Sequence, residues 1–563
     1  MPQDAFTLRY LCAELNILLK GGKVNRIVQT DEDKVTFTVY TGKRTVKLLL
    51  DVNPASPRIG IIEKEGDSPL TAPNFCMLLR KHLLSATVDR VELVGFDRIV
   101  KIDFTHSAEF FDAVQKTIYV ELMGRYSNVI LTQDGKILGG NRGINMLGDF
   151  VRPLIVGKPY VFPPVGDKKL PEDPTLIDYF SSYDGDDLPR HIINGVQGLA
   201  YDTANEIVHT FYSDVKAHPK GFFDHFNGFI YDSAPAPCVV KKDGAVKDVF
   251  VFPYRTVDGE YEYFDTLYQA EEYYHGEKNK LKRYRALKDR LTAVVNSALK
   301  KANKRLSAIT LKEREAQGLE ENRVKGELII ANIYRIKKGC ESVEVENYYD
   351  GTSVLISLDP NLTPSENAEL YYKKYNKQKR ALVAIAPQKE QAESEVNYLT
   401  SVLDEINLSE TETELKAVRT ELGEYGLMSQ EKQKTGKNKS ENPYRLYDID
   451  GYVVKAGRNN TENDRLTATA RGEAIWLHAK NYHSTHVIIE PNGKPVPDTV
   501  IVTAGEICAY YSKGRDGGKC EIVYAKRKNV KKPPKSKPGF VTYTDYHSLT
   551  VEPKSHSEFL KSD

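Results

Sequence analysis

Three histidines, His478, His483 and His486, sit close together in the last fifth of the chain and invite a metal, but no cysteine lies near them and their spacing fits no familiar zinc pattern. Trp476, His478 and Lys480 alternate as on a strand, so they can share one face, where a tryptophan stacks on a base and a lysine meets a phosphate. The competing account of Trp476, the only tryptophan in the chain, is a buried anchor for a small domain. Farther on, AKRKNVKKPPKSKPG (525–539) carries Lys526, Arg527, Lys528, Lys531, Lys532, Lys535 and Lys537 with no acid. Its prolines bar a helix, which leaves an extended basic strap suited to tracking phosphates. Asn194-Gly195-Val196-Gln197-Gly198-Leu199, followed by ANEIVHTFY, is a tight turn opening a helix. Amides in such a turn can hold a nucleic-acid backbone or serve packing. No GxxxxGK[ST] string occurs, and Gly514, Gly517 and Gly518 in SKGRDGGK have the wrong spacing for one, so NTPase chemistry is not implied.

Four segments must position these residues. Residues 1–170 are mixed α/β: a helix over 6–20 reaches Gly21-Gly22, then KVTFTVY and RTVKLLL alternate as strands, FCMLLRKHLL (75–84) is helical, and VDRVELVGF, RIVKIDF, KTIYVELM and NVILTQ are further strands. The proline-rich stretch from Pro153 to Pro174 is a linker. In 171–265 the periodicity weakens around the turn at 194–199. In 266–428, Tyr284, Leu287, Leu291, Val294 and Ala298 recur at threes and fours, as do Ala392, Val396, Leu399, Leu403 and Ile406. Two long arms are implied, folding back as an antiparallel hairpin around a structured tip at 339–367, with a kink expected at Pro387. After a polar linker (429–442), a last α/β domain fills 443–563: YRLYDIDGYVVKAGRN is a strand pair around Asp450-Gly451, EAIWLHAK and THVIIE are strands, and TVIVTAGEICAYYSKGR is a helix.

Charge must be judged locally, because Lys+Arg 79 against Asp+Glu 78 leaves a net charge of +1 over 563 residues. From Lys278 to Arg305 eleven bases stand against the single acid Asp289, and from Lys389 to Glu424 ten acids stand against three bases. An antiparallel hairpin lays these runs side by side, so most of that charge is expected to be neutralised internally. Near the tip, Lys373, Lys374, Lys377, Lys379 and Arg380 face Arg323, Lys325, Arg335, Lys337 and Lys338, which leaves positive charge for a partner. The six cysteines lie far apart, as in a reduced, metal-free interior. The start has neither a basic n-region nor an apolar h-region, and no run of apolar residues is long enough to span a bilayer, so the expected compartment is the cytoplasm.

Five strings, in order, resemble signatures of the NFACT family: ANIYRIKKGCESVEVENYYDG, ISLDPNLTPSENAELYYKKYNK, GRNNTENDRL, AIWLHAKNYHSTHVII and VKKPPKSKPGFVTY. The resemblance, which is to the bacterial RqcH and eukaryotic NEMF branches, runs nearly end to end. It implies an α+β multidomain chain with an NFACT-N domain, a helix-hairpin-helix domain, a coiled-coil hairpin and an NFACT-R domain. It also implies a non-enzymatic factor of ribosome quality control, without cofactor, that binds a large (50S) ribosomal subunit obstructed by peptidyl-tRNA. Such a factor recruits tRNA, alanyl-tRNA in bacteria, for untemplated tailing of the nascent chain, and leaves peptide-bond chemistry to the ribosome. A small partner factor fits this scheme. The family is also described as fibronectin-binding, so a surface adhesin is the alternative, although no signal peptide, wall anchor or repeat array supports it.

Residue by residue, Asp97-Arg98 in GFDRIV matches the family's Asp-Arg pair for tRNA recruitment, and Asp4 matches a second acid near the N-terminus. A guanidinium offers a planar five-donor fork to phosphate or a base edge, and a carboxylate can orient that fork. Arg80, Lys81 and Arg125 resemble further tRNA-facing positions. For rRNA the expected contacts are Lys337, Lys338, Lys373, Lys374, Lys377, Trp476, His478, Lys480, Lys526, Arg527, Lys531 and Lys532. The NFACT-N fold is similar to that of formamidopyrimidine-DNA glycosylase, whose proline after the initiator methionine is the nucleophile. Here Pro2 is followed by Gln3 rather than the glycosylases' glutamate, and no zinc finger matches theirs, so glycosylase chemistry is not expected.

Overall fold

In a computed structural model of the chain, the described residues are 3–66, 69, 71–108, 111–142, 152, 154–429, 444–534 and 536–561. Pro2, Pro153, Lys535 and nearly all of the 429–442 linker lie outside them. The chain divides into two bodies, Met1–Lys280 and Leu281–Asp563.

The first body starts with α1 (Ala5–Leu19), whose Phe6, Leu8, Leu11, Leu15 and Leu19 are fully buried. Each such side chain contributes roughly 1.5–3 kcal/mol in transfer from water. Nine strands follow: β1 (Lys23–Asp31), β2 (Lys34–Tyr40), β3 (Thr45–Asp51), β4 (Arg58–Ile61), β5 (Thr87–Leu93), β6 (Ile99–Ala108), β7 (Phe111–Glu121), β8 (Asn128–Gln133) and β9 (Lys136–Gly140), with α2 (Asn74–Leu83) between β4 and β5. They make one sheet, β4-β3-β2-β1-β5-β6-β7-β8-β9, and every pairing is antiparallel. Alternation in KVTFTVY and RTVKLLL sets the register: Val35, Phe37 and Val39 lie opposite Leu50, Leu48 and Val46, all six buried. The proline-rich stretch is no free linker, because Tyr160 N–H donates to Gly135 O and Lys169 N–H to Gly195 O.

Next come α3 (Leu176–Ser181), α4 (Leu188–Gly195), α5 (Tyr201–Thr210) and α6 (Pro219–Asp232). A small sheet, β11-β10-β12, follows, from β10 (Cys238–Lys242), β11 (Ala245–Phe250) and β12 (Glu260–Tyr263). One apolar core is continuous from Ala5 to Tyr274. The turn between α4 and α5 is taken up by packing. Gly198, at φ +72°, lets the chain approach so closely that a Cβ would lie 2.4 Å from both the Ala5 Cβ and the Phe96 carbonyl.

The helix α7 (Leu267–Gln317) carries residues of both bodies; after Gly318 come α8 (Leu319–Ala331), the hairpin β13 (Ser342–Glu346) and β14 (Ser353–Ser357), then α9 (Pro364–Leu408) and α10 (Glu412–Glu424). In the second body the arms are antiparallel near the tip, where Asn322 Nδ2 donates to Gln378 Oε1 at 2.8 Å and Gly326 backs onto the Tyr372 ring. The long helices fit the expected coiled coil. Pro387 does not end α9; the break falls in the other arm, at Gly318. Pro387 is on an exposed face, where water can serve the carbonyl it leaves without a donor. The returning arm also ends sooner than the acid run suggested. Thr411 and Glu414 form a reciprocal N-terminal cap that starts α10, and Leu415, Val418 and Leu422 then share a core with Leu291, Val295, Leu399 and Val402.

Internal neutralisation is weaker than expected. Among the described residues only Arg283 (to Glu412, 3.4 Å) and Arg305 (to Glu395, 3.5 Å) of the basic run reach an acid on the returning side.

The C-terminal part has the antiparallel sheet β15-β16-β18-β17-β19-β22, built from β15 (Arg445–Ile449), β16 (Tyr452–Ala456), β17 (Ile475–Ala479), β18 (Val487–Ile489), β19 (Cys520–Lys526) and β22 (His547–Val551). Asp450 (φ +49°) and Gly451 (φ +79°) make its first hairpin turn. The helices are α11 (Asn460–Thr469) and α12 (Asp498–Tyr510), and a small pair, β20 (Val530–Lys531) with β21 (Thr542–Tyr543), completes the domain. Among the described residues no helix is long and apolar enough to cross a membrane.

Candidate nucleic-acid interface

In the first body, Asp97 and Arg98 lie on the turn joining β5 to β6, both half-buried. The turn is held by buried Phe96, by the Asp97 carboxylate accepting the Arg98 backbone N–H at 2.7 Å, and by Leu122 N–H donating to Arg98 O. On α2, Arg80 spends its Nε on the Ile27 carbonyl (2.8 Å), while Lys81 is exposed. Arg125 is exposed on the turn before β8, its guanidinium 4.7 Å over the ring of Tyr126, itself exposed. Cation and ring together are a surface on which a base can stack.

Asp4 does not face a ligand, which corrects its assignment as a tRNA contact. It is 1% exposed and is the N-cap of α1: Oδ1 accepts from Thr7 N–H (2.9 Å), and Oδ2 from Ala200 N–H (3.1 Å) and the Thr203 hydroxyl (2.7 Å). The amide of Ala200, just after the 194–199 turn, is thus given to a carboxylate of the same body, in line with the packing alternative for that turn.

At the hairpin tip, Lys337 and Lys338 are exposed ahead of β13, and Lys373, Lys374 and Lys377 are exposed on the first turns of α9. Lys373 has only a loose helical partner, Glu369, at 3.8 Å, and Lys374 lies 5.1 Å over Tyr371. Such pairs hold little free energy in water, so these cations can be given to a partner. Exposed Tyr334 and Tyr348 lie in the same stretch, aromatics that the pattern of lysines does not single out.

The C-terminal surface corrects one assignment. Trp476 is fully buried among Leu466, Ala474, Ile488, Val523 and Val530, so it anchors the domain and cannot stack on a base. Its ring stacks instead on His478, with centroids 5.6 Å apart and planes 4° from parallel. His478 lines a cleft, and burial pushes its pKa down to about 4. His486 is buried, hydrogen-bonds the Thr467 hydroxyl at 2.7 Å, and is pushed down to about 3 for the same reason. Half-exposed Arg527 donates its Nε to Thr467 O (2.6 Å) and its Nη2 to Ala468 O (3.4 Å), closing the C-terminal end of α11.

Much of the strap's charge is matched by acids distant in sequence. Lys526 and Lys528 both hold Glu473 at 2.8 Å and Lys532 pairs with Asp464, while outside the strap Lys480 holds Glu521 at 2.8 Å. Hydrogen bonds from both lysines hold the Glu473 carboxyl down at about 2. Lys531 is exposed on β20. Phe540 and Tyr546, also exposed, are aromatics near the strap that the sequence pattern did not single out.

Known proteins place this arrangement. The model described as the NFACT N-terminal and middle domains matches residues 4–441, and the NFACT protein RNA binding domain matches residues 443–545. The chain is similar to a Bacillus subtilis (strain 168) protein named Rqc2 homolog RqcH, 32% identical over 555 residues and covering 96% of each chain. A protein of that name from Streptococcus suis (strain 05ZYH33) is 30% identical over 560 residues, 98% of each. The Mus musculus ribosome quality control complex subunit NEMF is 32% identical over 125 residues, 22% of this chain and 11% of that protein. The family models and the near full-length relatives agree: this chain belongs to the NFACT family.

Proposed function

We propose that this chain is a cytoplasmic ribosome quality-control factor that binds the large ribosomal subunit still carrying peptidyl-tRNA and recruits tRNA, alanyl-tRNA by family, for untemplated C-terminal tailing that marks the nascent chain for degradation. What supports this is an RNA binding domain joined to a long basic-tipped hairpin in a chain that is similar, over nearly its whole length, to the Bacillus subtilis Rqc2 homologue. In this proposal residues 1–170 receive tRNA through Asp97-Arg98, with Arg80, Lys81 and Arg125 in support. The helix-hairpin-helix segment, 171–265, is scaffold. The hairpin, 266–428, meets rRNA through Lys337, Lys338, Lys373, Lys374 and Lys377. The domain at 443–563 holds RNA through Lys480, Lys526, Lys531 and Lys532. Covalent chemistry belongs to the ribosome.

The decisive experiment is Asp97→Ala with Arg98→Ala in tagged protein. The variant is expected to co-purify with large subunits depleted of the recruited tRNA, while its own subunit binding survives. Loss of tRNA and subunit together contradicts the division of labour.

A further inference from the structure

The sheet face that carries Trp476, His478 and Lys480 is covered at one end and open at the other. Register puts Trp476 opposite Ala525 and His478 opposite Val523 on β19, and puts Glu521 and Val523 opposite Thr550 and Ser548 on β22. Side chains paired across antiparallel strands share a face, so this one runs from buried Trp476 out to Glu521 and to exposed Ser548 and Thr550. At the open end Lys480 Nζ meets Glu521 Oε1, with the two side chains 34% and 41% exposed.

Two tyrosines stand at that end, and the phenols of both act on the Lys480 ammonium. Tyr543 is seated against Trp476, ring centroids 5.3 Å apart, and Tyr546 against Tyr543, centroids 5.1 Å apart with the planes at 89°. The buried tryptophan thus steadies one ring, and that ring steadies a second that is 46% exposed. The backbone between them is pinned as well. Thr544 N–H donates to Asn529 O, Asn529 Nδ2 donates to Asp545 Oδ2 at 3.2 Å, and Asp545 takes a left-handed φ of +50°. Residues other than glycine avoid that conformation, aspartate less than most, and it persists where the surrounding structure imposes it.

A ring held out into water on a rigid turn loses little conformational freedom when something stacks on it. Its π-face accepts any base, and Lys480, whose exposed ion pair is weak, can exchange Glu521 for a phosphate. The surrounding ammonium, carboxylate and hydroxyls suit a sugar and phosphate better than an apolar peptide. In a duplex both faces of a base are taken by its neighbours, so the ring can be used only by a base that is unpaired and splayed out. We propose that Tyr546, buttressed by Tyr543 and flanked by Lys480, is a stacking site for an unpaired base of single-stranded RNA. The stacking role that the sequence offers to Trp476 passes to a ring on a neighbouring turn. This rests on the RNA-binding reading above and adds to it the class of RNA that the domain takes.

The test is fluorescence anisotropy of the full-length protein with labelled oligouridine and with a duplex RNA of the same length, titrated with salt. Tyr546→Leu should weaken oligouridine binding about tenfold and leave both the duplex affinity and the salt slope unchanged. Tyr546→Phe, which keeps the ring, should bind like the unmodified protein, and Lys480→Gln should lower the oligouridine slope by roughly 0.7. Trp476 emission verifies that the domain is folded in each variant. Unchanged oligouridine binding by Tyr546→Leu, an equal loss for strand and duplex, or a Tyr546→Phe as weak as Tyr546→Leu overturns the stacking site and leaves RNA binding standing. Failure of the unmodified protein to bind either RNA overturns both.

Discussion

Replacing Asp4 with alanine separates a structural role from a ligand contact. The substitution removes the N-cap of α1, for about 1 kcal/mol. It also leaves the Ala200 N–H without its acceptor in a buried setting, for about 1–3 kcal/mol. The Thr203 hydroxyl is spared, since Tyr254 OH stands 3.1 Å away and can take it over. The sum is about 2–4 kcal/mol, and at about 1.4 kcal/mol per tenfold it corresponds to a roughly thirtyfold to several-hundredfold rise in local opening. Hydrogen–deuterium exchange read by mass spectrometry should show that acceleration in peptides covering Asp4–Leu8 and Gly198–Ala204. Any loss of tRNA binding should follow the fraction of protein opened. A variant that exchanges like the unmodified protein yet no longer binds tRNA would refute the structural account and restore Asp4 as a contact.

Glu473→Gln should release Lys526 and Lys528 to phosphate, tightening RNA binding and steepening its salt dependence by up to two contacts, each adding roughly 0.7 to the logarithmic slope for single strands. An unchanged slope in a salt titration would mean that these lysines are not available to RNA. The C-terminal domain should lose stability in acid. His478 and His486 fold neutral, held down at about 4 and about 3, so below about pH 6.5 the unfolded chain binds more protons than the folded one. Stability is therefore full above that pH and falls as pH drops toward 4, at up to about 1.4 kcal/mol per pH unit for each imidazole. Urea unfolding followed by Trp476 fluorescence reports this domain alone, and a midpoint that stays flat from pH 7 to 4.5 would contradict it.

Much of the fold was legible where local periodicity and tertiary structure ask for the same thing. The alternation of KVTFTVY, the 3.6-residue spacing in α1 and the Asp450-Gly451 turn each satisfy backbone and core together, and the arms announced themselves by their apolar seam. Failures came where a distant partner decided the outcome. Asp4 looks like an exposed N-terminal acid until Ala200 and Thr203 close on it from far along the chain. The strap looks freely basic because Glu473 and Asp464, which pair with Lys526, Lys528 and Lys532, belong to other elements. Trp476 alternates like a surface residue, yet its strand lies third from the end of a six-stranded sheet with Tyr543 against its ring, and both accounts of the tryptophan fitted the pattern. Helix ends erred for a related reason. Gly318, where the first arm breaks, offered too weak a local signal. The strands between Cys238 and Tyr263 are short and interrupted, with Gly259 at φ +155°, and left little periodicity to detect.

The central claim is that the protein holds RNA on a large ribosomal subunit and performs no covalent chemistry of its own. Its most direct test is gradient sedimentation of the tagged protein from growing cells, with sequencing of the RNA in its fractions. The account predicts co-sedimentation with large subunits and enrichment of a narrow set of tRNAs that depends on Asp97-Arg98. Absence from the large-subunit fractions, or a tRNA profile indistinguishable from that of the cell, would contradict it.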